Sequence, residues 1–109
     1  NLTNIYVVGE SPTLAIIQTE LDKGLTGLLG SKPKNSSTIQ QGTLLIAVSN
    51  SDVVKNLNLN LNSETGKEGF IIRSVTHSGK RITVITSQSE TGLLYGSFHL
   101  LKLIQSRQS

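Results

Sequence analysis

The 109-residue sequence has no cysteine and no tryptophan, and its only aromatic residues are two Tyr and two Phe. Without cysteine there is no disulfide, no thiolate nucleophile and no cysteine-bound zinc. The redox compartment is left open, because a disulfide-free domain folds in any of them. Charged residues are sparse, at 16%, against the usual quarter of a globular chain, while the hydrophobic share of 36% is ordinary. No apolar run approaches the roughly 20 residues that a membrane-spanning helix requires, so no membrane partner is expected. No signal peptide is visible, and the chain opens on Asn1 rather than Met, as expected of a processed start or a boundary inside a longer protein.

Ten Lys and Arg against seven Asp and Glu leave a net charge of +3. A nucleic-acid-binding domain gathers its basic residues on one face and interleaves aromatics for stacking. Here Lys23, Lys32, Lys34, Lys55, Lys67, Lys80 and Lys102 are spread along the chain, so no nucleic-acid partner is expected. A carbohydrate-binding module presents exposed aromatic rings as sugar platforms, and without Trp that reading has few residues to stand on. The length is that of one domain, in which roughly 60–70% of the unfolded chain's surface can be buried.

Ile5–Val8 reads as a short strand. Ser11-Pro12 then makes a helix entry, with Ser able to cap and Pro suited to the first turn. Leu14, Ile17, Leu21, Leu25 and Leu28 recur at helical spacing, with Thr19, Lys23 and Thr26 largely opposite, and Gly30 is a stop. Ser31–Gln41 is polar, holds Pro33 and reads as a loop. Thr43–Ser49 (TLLIAVS) is a continuous apolar run, the pattern of a strand buried on both faces. Ser51–Asn56 fits a short helix capped by Ser51, and the Asn–Leu alternation of Asn56–Asn62 fits an irregular segment better than a strand. Gly69–His77 and Arg81–Ser87 are rich in β-branched residues and flank Ser78-Gly79, the clearest hairpin signal present. Ser87–Glu90 matches the Ser-x-x-Glu capping box ahead of a helix reaching about Gln105. The order β-α-β-(short α)-β-β-α predicts an α+β domain, an α/β sandwich of two or three layers with a mixed sheet of about four strands and two main helices.

The final helix is too apolar for one stripe. At about 100° per residue, Leu93, Leu94, Phe98, Leu100, Leu101, Leu103 and Ile104 cover more than half its circumference. Its own sheet accounts for one side. Loops of the same domain, or a second domain or subunit, must cover the other, and the second reading is preferred. The expected interdomain interface is Leu93, Tyr95, Phe98, Leu100, Leu103 and Ile104. Gly92 and Gly96 would let a neighbour's backbone approach closely, which would justify their cost in helix propensity of about 1 kcal/mol each.

No catalytic, cofactor or metal site is read from the residues. His77 and His99 have no second ligand at metal-binding spacing. A glycosidase needs two facing carboxylates. Glu90 is explained by capping, Glu20 and Asp22 by a helix surface, and Glu64 and Glu68 by a polar loop. Glu10 and Asp52 follow strands, where α/β sheets do place functional groups, and they are the weak candidates. Gly24, Gly27 and Gly30 fail the spacing of a phosphate loop and close a helix rather than open one. No serine lies in a Gly-x-Ser-x-Gly turn.

The segments EGFIIRSV (Glu68–Val75) and TGLLYGSFHLLKLIQ (Thr91–Gln105) resemble the N-terminal domain of family 67 α-glucuronidases, whose last helix has the form G-L/V-L-Y-G-x-F-x-L-L-R-x-L-Q. Gly92, Leu94, Tyr95, Gly96, Phe98, Leu100, Leu101 and Leu103 match it, with Lys102 where Arg is frequent and no Arg ahead of Gly92. LDKGLTGLLG (Leu21–Gly30) and Gly42–Ser49 are similar to earlier elements of that domain. The resemblance implies a fold like the small α/β domain that precedes the barrel in β-hexosaminidases. It implies a non-catalytic domain packed on a following (β/α)8 barrel of the same parent chain. That barrel holds the catalytic carboxylates and removes 4-O-methyl-glucuronic acid from xylo-oligosaccharides in xylan degradation. It favours a periplasmic or secreted location over a cytoplasmic one. The alternatives are an accessory domain of another glycoside hydrolase family and a stand-alone module binding carbohydrate or protein.

Overall fold

The apolar run at Thr43–Ser49 forms the middle strand of a five-stranded sheet in the computed structural model, which describes residues 2–57 and 69–108. The elements are β1 (Asn4–Val7), α1 (Pro12–Leu29), β2 (Lys34–Asn35), β3 (Thr43–Val48), α2 (Asp52–Asn56), β4 (Phe70–His77), β5 (Lys80–Ser87) and α3 (Glu90–Gln108). The strand order is β2-β1-β3-β5-β4, with β4 antiparallel to β5 and the other pairings parallel. From residue 58 onwards, the Asn–Leu alternation lies outside the described residues.

The sheet has one strand more than the four expected. The addition is β2, two exposed polar residues within the segment read as a loop. Its backbone alone makes it a strand: Lys34 N donates to the Thr3 carbonyl at 3.1 Å and Ser36 N to the Ile5 carbonyl at 2.8 Å. Side chains that bury nothing leave no apolar alternation to read.

Each residue of β3 from Thr43 to Ala47 is buried, because both sheet faces are covered. Leu44 and Ile46 join Ile5 and Ile85 beneath α1 and α3, with Leu14, Ile17, Leu21 and Leu25 from α1 and Leu93 and Leu100 from α3. Leu45 points the other way and packs with Ile82 and Val84 against Tyr6, Ile39, Val53, Leu57 and Val75. The domain is a sandwich with a thick helical layer on one face and a thin cover on the other.

The helix ends follow from local chemistry. Ser11 Oγ accepts from Leu14 N at 3.1 Å and Pro12 opens the helix, while Gly30 closes it at φ 81° with its N–H on the Thr26 carbonyl. Ser51 caps α2 in the same way. The cap of α3 is Ser89 rather than Ser87: Ser89 Oγ accepts from Gly92 N at 3.1 Å. Ser87 still lies in β5, and its hydroxyl donates to the Gly69 carbonyl and accepts from Ser89 N. Glu90 is therefore in the first turn, where a carboxylate offsets the helix dipole. It also accepts the Ser11 hydroxyl at 2.7 Å, which ties the starts of α1 and α3 together. In the hairpin, Ser78 and Gly79 have φ of 52° and 78°, the pair of positive values that a type I′ turn requires.

The two glycines expected to receive a partner serve this domain's own sheet instead. A Cβ on Gly92 would strike the Ser87 side chain and come 2.6 Å from the Gly69 carbonyl; one on Gly96 would lie 2.8 Å from Ile85 Cγ2. On α1, a Cβ at Gly24 would meet Leu101 of α3 at 2.8 Å, whereas Gly27 has open space around it.

These contacts make two predictions, both read by chemical denaturation. Gly92→Ala loses about 1–3 kcal/mol to overpacking despite its better helix propensity, whereas Gly27→Ala gains up to about 1 kcal/mol. Ser11→Ala loses about 1–2 kcal/mol, because one substitution removes both the α1 cap and the donor to Glu90.

Candidate docking face

Helix α3 distributes its apolar residues among three surroundings. Leu93 and Leu100 are in the core, with Ser97 between them bonding its hydroxyl to the Leu93 carbonyl at 2.8 Å. Leu94, Leu101 and Ile104 are partly buried against the same cluster, and Leu101 meets Gly24 of α1. Part of the second apolar side is thus covered by α1 of this same domain. Tyr95, Phe98 and Leu103 remain outside, at 58%, 41% and 46% exposed.

Of the six residues expected at an interface, the structure places Leu93 and Leu100 inside, Ile104 at the margin, and Tyr95, Phe98 and Leu103 on the surface. The three exposed ones span an arc of about 140° round the helix, with Tyr95 between the other two. With Leu101 marking the flank toward α1, Phe98 is about 60° and Tyr95 about 120° round the helix from it. Leu103 lies about 80° beyond Tyr95 in the same sense, on the side where the His99 ring packs against Phe70 at a centroid distance of 5.6 Å.

A fourth apolar residue, missed in the sequence, extends the Tyr95–Phe98 side. Ile16 of α1 is 50% exposed. It is about 80° from Gly24, on the flank facing α3, and about 160° from Gln18, whose amide reaches Asn35 next to β2. The helices are tied at Ser11–Glu90, and Ile16 and Tyr95 stand equally far along from those two anchors. The outer surface of the helical layer therefore carries Ile16, Tyr95 and Phe98, with Lys102 on the same side and an exposed Glu20–Lys23 ion pair at 3.6 Å. Ile16 lies off the buried stripe of Leu14, Ile17, Leu21 and Leu25, which the helical period separates from it. The Ser11–Glu90 bond spans 79 positions and has no local signal.

The polar groups weighed for chemistry are scattered. Among the described residues, no group of three or more His, Asp or Glu is placed to hold a metal ion. Glu90 is engaged by Ser11, Asp22 by Gln18 and Glu20 by Lys23. Glu10 borders a cavity of about 200 Å³ beside Ser11 and Gln18, and Asp52 sits in the first turn of α2. His77, at the end of β4, lines a cavity of about 370 Å³ with Tyr6 and Lys80. No helix among the described residues is long and apolar enough to cross a membrane.

Three solved structures share the fold. A family GH115 4-O-methyl-α-glucuronidase with specificity for decorated arabinogalactans superposes with a TM-score of 0.72 at 16% identity, over 94% of this chain and 13% of its own. A GH138 enzyme targeting pectin rhamnogalacturonan II gives 0.59 at 22% identity, over 97% and 10%. CpGH84D gives 0.66 at 20% identity, over 94% and 18%. The chain thus spans less than a fifth of each of these proteins. No curated protein sequence matches it. The sequence pattern of the glycosyl hydrolase family 67 N-terminus, by contrast, fits residues 1–100. It takes in every strand and the glycine-seated part of α3, and the chain belongs to that family of glycoside hydrolase N-terminal domains.

Proposed function

We propose that the chain is the accessory N-terminal domain of an α-glucuronidase acting on xylan-derived oligosaccharides, and that it docks on the enzyme's catalytic barrel through the outer surface of α1 and α3. The observation that carries the reading is the exposure of Tyr95 and Phe98 on a helix whose inner side is already filled by its own sheet. Aromatic residues are enriched where one protein surface meets another, and two of them one helical turn apart, with Ile16 alongside, can fill pockets on a partner. Family membership and the similarity to parts of larger glycoside hydrolases support the identity of that partner. The domain's contribution is structural: it covers apolar barrel surface and holds neighbouring loops in place. The chemistry belongs to the barrel, where paired carboxylates cleave the glycosidic bond.

Titration of the 109-residue chain into a separately produced family 67 barrel, followed by calorimetry, tests the docking. Replacing Tyr95 and Phe98 together by Lys weakens association about 100-fold and leaves the domain's own stability within about 0.5 kcal/mol, because both are exposed. Undiminished association of the double variant would place the interface elsewhere. Turnover of aldouronic acids by the chain alone would contradict an accessory role.

A further inference from the structure

We infer that the outer groove between α1 and α3 seats one α-helix of the catalytic domain, and that this helix passes Gly27 at near-backbone distance. The inference rests on the docking reading above and names the element that docks. Four glycines lie inside the two long helices, Gly24 and Gly27 in α1 and Gly92 and Gly96 in α3. Three of them mark a close approach within the domain. A Cβ on Gly24 would meet Leu101, one on Gly92 would meet Ser87, and one on Gly96 would meet Ile85. Gly27 faces open space among the described residues. Glycine is the poorest helix former after proline, so its cost at this position is offset by no contact inside the domain.

Gly27 stands on the bank of the groove. At about 100° per residue, Ile16, Glu20, Lys23 and Gly27 fall about 40–100° round α1 from Gly24, in the sense opposite to core residues Leu21 and Leu25. On α3, Phe98, Lys102 and Tyr95 fall about 60–120° from Leu101, in the sense opposite to core residues Leu93 and Leu100. The helices run parallel from their Ser11–Glu90 tie, so these two rows face each other across a groove with Leu94 and Leu101, both partly buried, at its floor. From Ile16 to Gly27 the groove runs about three turns, roughly 16 Å. A helix fits it, because helices pack at axial distances of about 8–10 Å and a helix satisfies its own backbone. An extended or irregular segment would lay N–H and C=O groups on Ile16, Leu94 and Phe98, which offer them no partner. The charge of the banks favours a catalytic domain over a second copy. Glu20 is taken up by Lys23 at 3.6 Å, and Lys102 has no ion-pair partner among the described residues. Two copies would set like charge against like charge, whereas an apolar helix with a carboxylate at its edge complements Lys102.

Calorimetric titration of the 109-residue chain into a separately produced family 67 catalytic domain tests the seat. Gly27→Ala is expected to weaken association about tenfold and Gly27→Gln about 100-fold, while neither lowers the melting temperature of the free chain. Lys102→Glu is expected to weaken it about tenfold. Thr26→Gln, adjacent in sequence but about 160° round α1 from Gly24, is expected to leave it unchanged. A photo-crosslinker placed in turn at Ile16 and at Lys23, two helical turns apart, reads the shape of the occupant. Captured partner residues about seven apart indicate a helix, and about three apart an extended segment. Undiminished association of Gly27→Gln, captured residues at the extended spacing, a lower melting temperature in Gly27→Ala, or dimerisation of the chain through Tyr95 and Phe98 would each overturn the assignment. Where the Tyr95 and Phe98 double variant loses association and Gly27→Gln does not, the docking surface stands and the helix seat fails. Where neither loses it, or the unaltered chain does not associate, both fail.

Discussion

The seating of α3 against β5 at near-backbone distance is the contact on which the rest of the domain depends. Gly92 stands over Ser87, whose hydroxyl holds the Gly69 carbonyl and receives the Ser89 N–H. The end of β5, the entry to β4 and the first turn of α3 therefore meet at one junction. One turn later Gly96 lets the helix lie on Ile85 and Phe70. The same economy of side chain is repeated between the helices, where Gly24 accepts Leu101 and Ser11 reaches Glu90. Two parallel helices are thereby fixed to each other and to the sheet through small residues, and the large core side chains fill the space between them.

This arrangement explains why α3 is more apolar than its sheet requires. Where the helix touches the sheet most closely it needs glycine and serine. Its large residues serve the remaining directions: Leu94 and Leu101 toward α1, Tyr95 and Phe98 toward solvent. The exposed aromatics are thus not a residue of incomplete core formation, since the inner side is complete without them. In the docking proposed above, they are the surface that a catalytic domain would cover.

Most of the architecture was legible in the sequence because its signals are local and periodic. The α1 stripe, the Ser11 and Gly30 caps, the continuous burial of β3, the Ser51 cap and the Ser78-Gly79 hairpin each follow from the residue types at those positions. What was not legible depends on distant partners. β2 is defined by hydrogen bonds to β1 and has no side-chain pattern of its own. Ser87 and Ser89 both satisfy a capping motif, and only the extent of β5 decides between them. Gly92 and Gly96 were legible as close-packing positions, but which surface they approach is fixed by the fold of the sheet. The apolar arc of α3 was visible as a whole; its division among core, α1 and solvent was not, because that needs the position of α1.

Hydroxyl-radical footprinting of the chain, alone and bound to a family 67 catalytic barrel, tests most directly the claim that the helical layer is the docking surface. The account predicts that Ile16, Tyr95 and Phe98 are oxidised in the free chain and protected in the complex, while Tyr6 and His77 on the opposite side of the sheet react equally in both. Protection of Tyr6 and His77, with Tyr95 and Phe98 still reactive, would contradict it.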